Sequence, residues 1–186
     1  MKHTDIKDVF FDLDHTLWDF DKNSELTFET IFSKYHPTIE IRAFIAEYVP
    51  INQACWRLYQ YDKITHEELR YRRLKESFDA LNYNISDADI ETIAQEYIRL
   101  LPENNHLFDG TIAILDYLSQ KYKLHIITNG FAEVQVRKIK NSNIGNYFQT
   151  ITNSEMAGVK KPNPIIFEYA LNLAKAEKES SIMIGD

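Results

Sequence analysis

Two carboxylates one residue apart, Asp12 and Asp14, stand at the end of the apolar run Val9-Phe10-Phe11. That run predicts a buried strand. Because strand side chains alternate, Asp12 and Asp14 point to one side and Leu13 to the other. Two like charges held that close repel, and a hard divalent cation with oxygen ligands is the compensation that fits best. Further along, Ile126-Ile127-Thr128-Asn129-Gly130 ends a second apolar run with a hydroxyl, an amide and a glycine. These are the parts of a phosphate-holding turn, a Thr donor beside backbone N–H groups that a ligand can approach closely. Taken alone, the segment is equally an ordinary Asn-Gly turn. Lys161, followed by Pro162 and a helix start, is a point charge suited to phosphoryl oxygens, although a Lys-Lys pair by itself is usually solvated surface. A final apolar run, Ile182-Met183-Ile184, leads through Gly185 to another acid, Asp186.

The elements that must position these groups have two textures. Residues 6–16 and the chain after about Asp109 read as β/α units. Strands are predicted at Leu124–Thr128, Tyr147–Thr152 and Ser181–Ile184, with helices at Thr111–Lys121, Glu133–Asn141 and Pro164–Ala176. Strands alternating with helices predict an α/β fold, a Rossmann-like parallel sheet with helices on both faces. Residues 20–102 lack convincing strands. Thr65-His66-Glu67-Glu68 is a capping box opening a helix with Leu69, Leu74 and Phe78 on one face. Ser86 opens another, with Ile90, Ile93, Ala94, Tyr97 and Leu101 as its stripe. Earlier helices are expected at Ser24–Tyr35 and Ile41–Leu58, the latter kinked or divided by Pro50.

Composition narrows the function classes. A 186-residue chain with 44% hydrophobic and 13% aromatic residues is globular, sized for one core and a modest second lobe. The formal net charge of −7 argues against nucleic acid or a membrane surface as partner, since nothing implies a phosphate-neutralising field. No run approaches the ~20 apolar residues of a membrane span, and no signal peptide is expected. The single Cys55 cannot form an internal disulfide, so a reducing, cytoplasmic setting is the expectation. The six histidines show no paired zinc spacing.

The four segments, Asp12-Leu13-Asp14-His15-Thr16, Thr128-Asn129-Gly130, Lys160-Lys161-Pro162 and Gly185-Asp186, taken in this order, closely resemble the four motifs of the haloacid dehalogenase superfamily. That resemblance covers nearly the whole chain. It implies a core domain of residues 1–19 and 103–186, with the first strand beside the fourth, and an all-helical cap domain of residues 20–102. It also implies a chemistry. Asp12 would attack phosphorus to give an aspartyl-phosphate, and Asp14 would act as general acid and base. Thr128, Asn129 and Lys161 would bind the phosphate, and Mg²⁺ would be held by Asp12, the backbone carbonyl of Asp14, and Asp186. Thr16 would order the loop, and His15 would have no catalytic role. The acid at position 14 separates this pattern from the metal-free dehalogenases that name the superfamily.

Within the superfamily, the segment Asn52 to Tyr59, with Lys63-Ile64-Thr65 and Glu68 to Arg73, resembles the cap of the bacterial pyrimidine 5′-nucleotidase branch, as does Trp18-Asp19-Phe20. The implied substrate is a small phosphomonoester, a nucleoside 5′-monophosphate. Trp56, Arg57 and Tyr59 could stack on a base and steer an anion, or simply pack the helices of the cap. Alternatives are a sugar-phosphate phosphatase or phosphomutase, and a non-catalytic phosphate-binding protein on the same fold. Oligomeric state is not implied by anything in the chain. Family members continue beyond the position of Asp186 to a further acid. The expectation is therefore a truncated C-terminus that leaves the fourth strand as an edge and weakens metal binding.

Overall fold

β1 (Asp8–Phe11) is buried along its whole length in the computed structural model, which describes residues 5–185. An apolar strand is buried in this way when it has neighbours on both edges and helices over the faces. β1 lies between β2 (Lys123–Thr128) and β4 (Ser181–Ile184), and β3 (Phe148–Asn153) lies outside β2, giving the order β3-β2-β1-β4. Every pair is parallel, and Phe11 stands opposite both Ile126 and Ile184, so β1 and β4 finish level while β2 runs two residues further, to Thr128. This is the α/β fold predicted from the alternation of strands and helices, with the first strand beside the fourth.

Parallel neighbours require crossovers, and helices supply them. α5 (Thr111–Ser119) leads into β2, α6 (Ala132–Asn141) joins β2 to β3, and α8 (Pro164–Ala174) joins β3 to β4. A one-turn helix, α7 (Ser154–Ala157), follows β3 directly; sequence periodicity could not reveal so short an element. Phe10 and Ile127 of the sheet cluster with Ile166 and Ala170 of α8. A polar inclusion interrupts this apolar core. His125 on β2 lies with Nε2 3.1 Å from Asp8 Oδ1 and Nδ1 2.8 Å from Thr150 Oγ1, its ring stacked on Phe10.

The chain forms two compact units, Met1–Phe20 with Asn105–Asp186, and Asp21–Asn104. In the first unit the segment after β1 is tied to the segment before α5. Trp18 bridges to Leu107, the Asp19 N–H donates to the His106 carbonyl, and the Phe108 N–H donates to the Leu17 carbonyl.

The second unit is helical: most of α1 (Phe20–Tyr35), then α2 (Ile41–Gln60), α3 (His66–Ala80) and α4 (Asp87–Leu100). The capping box at Thr65 and Glu68 is formed, and Ser86 caps α4. Of the kink or division of α2 expected at Pro50, the division does not occur at this proline. It sits on the exposed side, while Phe44 and Tyr48 before it and Asn52 and Cys55 after it are buried, anchoring both halves to one core. That core is aromatic, with Phe28, Phe32, Phe44, Tyr48, Phe78 and Tyr97 in mutual contact. Buried Arg73 is accommodated by Tyr97, whose ring centre is 4.9 Å from Cζ, and by Asn52 Oδ1 at 3.1 Å from Nη1.

Candidate active site

Asp12 follows β1 directly and extends its pairing, its N–H donating to the Ile184 carbonyl of β4 at 2.9 Å. One carboxylate oxygen, Oδ1, accepts the Leu13 N–H at 2.8 Å, and the other, Oδ2, lies 2.6 Å from Lys161 Nζ. Burial pushes the Asp12 carboxyl above the ordinary carboxylate range. The Lys161 ammonium pulls it back down and the neighbouring Asp14 charge pushes it further up. Beyond Asp12 the chain turns sharply: His15 takes the left-handed conformation at φ 62°, and the N–H groups of Leu17 and Trp18 both return to the Leu13 carbonyl.

Asp14 has its own cation. Lys138 Nζ is 2.6 Å from Asp14 Oδ1, and Gln135 Nε2 donates to Asp14 Oδ2 at 2.9 Å. Both partners are on α6. Lys138 is only 2% exposed, and its ammonium sits 4.1 Å from the Trp18 ring centre. A lysine is that deeply buried only when paired. The repulsion between the two carboxylates, for which a divalent cation was the expected remedy, is therefore offset within the chain by Lys161 at one acid and Lys138 at the other.

The remaining predicted residues fall around these pairs. Thr128 ends β2, and its Oγ1 accepts from Gly130 N–H at 3.2 Å and Gln135 Nε2 at 2.7 Å. Asn129, expected among the phosphate-binding residues, has its side chain engaged elsewhere in the chain. Its Nδ2 donates to the Lys161 carbonyl at 3.0 Å and its Oδ1 accepts the Lys161 N–H at 2.7 Å, so the amide is taken up by the lysine's backbone. The peptide that follows, Lys161–Pro162, is cis. Asp186, the expected third metal ligand, lies outside the described residues. Gly185 before it approaches Asp12 so closely that a Cβ there would stand 3.2 Å from Asp12 Cβ. Thr16 Oγ1 is buried without a hydrogen-bond partner among the described residues.

The donors suit a hard cation. The Asp12 carboxylate and the Asp14 backbone carbonyl are oxygen ligands, and Mg²⁺ keeps several waters rather than demanding an all-protein cage. Among the described residues no three His, Cys, Asp or Glu side chains cluster as a metal site.

Sequence reasoning missed Gln135 and Lys138. Polar residues on an amphipathic helix read as its solvent face, and only their spacing after Thr128-Asn129-Gly130 could have marked them. Trp56 and Tyr59 are in edge-to-face contact at 5.6 Å and half-buried on α2, with Arg57 exposed between them.

An open parallel sheet with acids and a lysine converging beyond its strand ends defines a class of α/β hydrolases that bind ligands at that edge. The description haloacid dehalogenase-like hydrolase matches residues 6–186, and the chain belongs to that family. It is 31% identical to the pyrimidine 5′-nucleotidase PynA of Streptococcus pneumoniae, over 97% of this chain and 75% of that protein. It is 30% identical to the pyrimidine 5′-nucleotidase YjjG of Escherichia coli, over 96% and 76%. The crystal structure of YfnB from Bacillus subtilis, bound to magnesium, superposes with a TM-score of 0.88 at 28% identity, over 98% of this chain and 81% of that one.

Proposed function

We propose that this hydrolase is a Mg²⁺-dependent phosphomonoesterase that works through Asp12 and acts on nucleoside 5′-monophosphates, pyrimidine ones foremost. The observation that carries the reading is the arrangement at the end of β1. A buried carboxylate is paired with Lys161, a second carboxylate is held separately by Lys138 and Gln135, and the Thr128 hydroxyl is hydrogen-bonded to the same Gln135.

In this reading an oxygen of Asp12 attacks phosphorus and the bond from phosphorus to the ester oxygen breaks. Asp14 hands its proton to the departing alkoxide. Asp14 then takes a proton from water, whose oxygen attacks phosphorus, and the acyl-phosphate bond breaks to release phosphate and restore Asp12. Lys161 and Thr128 hold the phosphoryl oxygens and offset charge as it moves, while Asn129 keeps Lys161 in place. Asp12 and the Asp14 carbonyl, and Asp186 as the family pattern implies, would hold Mg²⁺, which would supply the charge neutralisation that lets a carboxylate approach a phosphate dianion. The helical unit is assigned the role of a cap that selects substrate. Its half-buried Trp56 and Tyr59 and exposed Arg57 support a base and an anion as the groups recognised. Resemblance to two pyrimidine 5′-nucleotidases over nearly the whole chain supports the nucleotide reading over sugar phosphates.

The test is a substrate panel of pyrimidine and purine monophosphates set against hexose and triose phosphates, with and without chelator. Highest kcat/KM on pyrimidine monophosphates, lost on chelation, is the expected result. A hexose or triose phosphate in first place would overturn the substrate, and turnover that survives chelation would overturn the metal.

A further inference from the structure

Neither Gln135 nor Lys138 is given a chemical step by the reaction above, yet both are joined to the groups that carry it. We infer that they are positioning residues. Gln135 fixes the Thr128 hydroxyl so that its hydrogen is presented to the phosphoryl group, and Gln135 and Lys138 together lock the Asp14 carboxylate in one orientation. The inference rests on the phosphomonoesterase reading and deepens it.

Hydrogen counting carries the first half. A hydroxyl has two lone pairs and one hydrogen. Thr128 Oγ1 accepts from Gly130 N–H and from Gln135 Nε2, which fills both lone pairs. Its hydrogen is thereby left to donate, and no acceptor for it is found among the described residues. A buried hydroxyl in that state is a pre-set donor for a ligand oxygen. The orientation of the Gln135 amide is itself determined. Its nitrogen faces Asp14 Oδ2, where an amide oxygen would meet a carboxylate. Both of its hydrogens are thus used, one on Asp14 and one on Thr128.

The carboxylate of Asp14 is held at both oxygens by donors three residues apart on α6, Lys138 at Oδ1 and Gln135 at Oδ2. Neither donor is loose. Lys138 lies against Trp18 and, at 5.2 Å, Phe20. A Cβ on Gly130 would overlap the Gln135 side chain, so the turn carries a glycine because the amide occupies that space. Gln135 Oε1, meanwhile, is buried without a hydrogen-bond partner among the described residues. A leucine would avoid that cost, so the side chain's value lies in its two N–H donors.

Two readouts separate positioning from mere support of the fold. One is hydrolysis of p-nitrophenyl phosphate with Mg²⁺, and the other is binding of inorganic phosphate by calorimetry. Gln135→Leu is expected to weaken phosphate binding about tenfold in the wild-type background but no more than about twofold when Thr128 is already valine, because it acts through that hydroxyl. Lys138→Met is expected to lower kcat about tenfold with phosphate affinity within about twofold of wild type, and Lys138→Arg to recover part of the loss. Additive effects of Gln135→Leu and Thr128→Val on phosphate binding would overturn the first half. Unchanged kcat in Lys138→Met, or equal losses in kcat and phosphate affinity, would overturn the second. Should Lys138→Met not fold, Lys138→Arg and Gln135→Glu carry the same comparison, both with reduced kcat expected and wild-type kcat in both overturning it. A wild-type protein that binds phosphate but hydrolyses no ester would refute the underlying reading while the double-mutant comparison still decides the role of Gln135. One that does neither would refute both.

Discussion

Asn129 grips the backbone of Lys161 from both sides, its amide nitrogen on the carbonyl and its amide oxygen on the N–H, across 32 residues of sequence. A residue of one motif thus sets where the lysine of the next one stands. Asn129→Ala removes both bonds and leaves two backbone groups to find water. We expect a loss of roughly 1–3 kcal/mol in stability by urea unfolding. We also expect a kcat/KM reduced by about tenfold or more as Lys161 loses its fixed place. An Asn129→Ala protein with wild-type kinetics would mean that Pro162 and the helix behind it position Lys161 unaided.

Asp12→Asn keeps shape and removes the nucleophile. Turnover should fall by at least ~10³-fold. Stability should move the other way. Burial raises the Asp12 carboxyl in the folded protein, so at neutral pH its charged form is disfavoured there relative to the unfolded chain, and a neutral isostere relieves this. A melting temperature at or above that of wild type, measured without metal, is the expected result. A marked drop would show that the pair with Lys161 outweighs the cost of burial.

His125 gives the fold an acid-side weakness. Burial holds its imidazole below the usual value of 6.5, with Asp8 working in the opposite direction. In the neutral ring Nε2–H donates to Asp8 while Nδ1 accepts from Thr150, so both nitrogens are satisfied. The unfolded chain binds the proton more readily. The contribution to stability is therefore complete above pH 6.5 and is lost as pH falls through the depressed folded value. His125→Asn should be less stable at pH 7.5 but show a shallower decline in melting temperature from pH 7.5 to 5, each 1 kcal/mol appearing as about 2–4 °C in a chain of this size. Parallel declines in the two proteins would assign the acid sensitivity elsewhere.

The left-handed backbone at His15, φ 62°, makes that position selective. His15→Val should lose ~1–3 kcal/mol in urea unfolding, because a β-branched side chain crowds that conformation. His15→Gly should stay within about 1 kcal/mol of wild type, trading relieved strain for lost chain stiffness and for the contact with Phe20. Equal losses in both variants would make the ring contact, not the backbone, the important term.

Much of this architecture was legible in the sequence because it depends on local pattern. The Val9–Phe11 part of β1 is apolar, as suits a strand flanked on both edges, and the Ser181–Ile184 strand was predicted to the residue. Thr65 and Glu68 announce α3 by their own mutual hydrogen bonds. What escaped depends on distant partners. Lys138 looks like a solvent-facing lysine until Asp14, 124 residues earlier, is brought to it. The grip of the Asn129 side chain on the Lys161 backbone is likewise invisible until the two segments are folded together. Pro50 marks a kink or a division in the sequence, and the helix stays undivided because burial of Tyr48 and Asn52 on either side outweighs one missing hydrogen bond.

The clasp of Trp18 on Leu107, with Asp19 on His106 and Phe108 on Leu17, brings the point where the chain leaves the sheet-bearing unit beside the point where it returns. Nothing in that clasp depends on what is threaded between its two ends. Closing a long excursion costs little more than closing a short one once its ends are held together. The helical segment is thus a removable cassette: over evolutionary time it could be lengthened, shortened or exchanged for another fold while the strands and their acids stay unchanged.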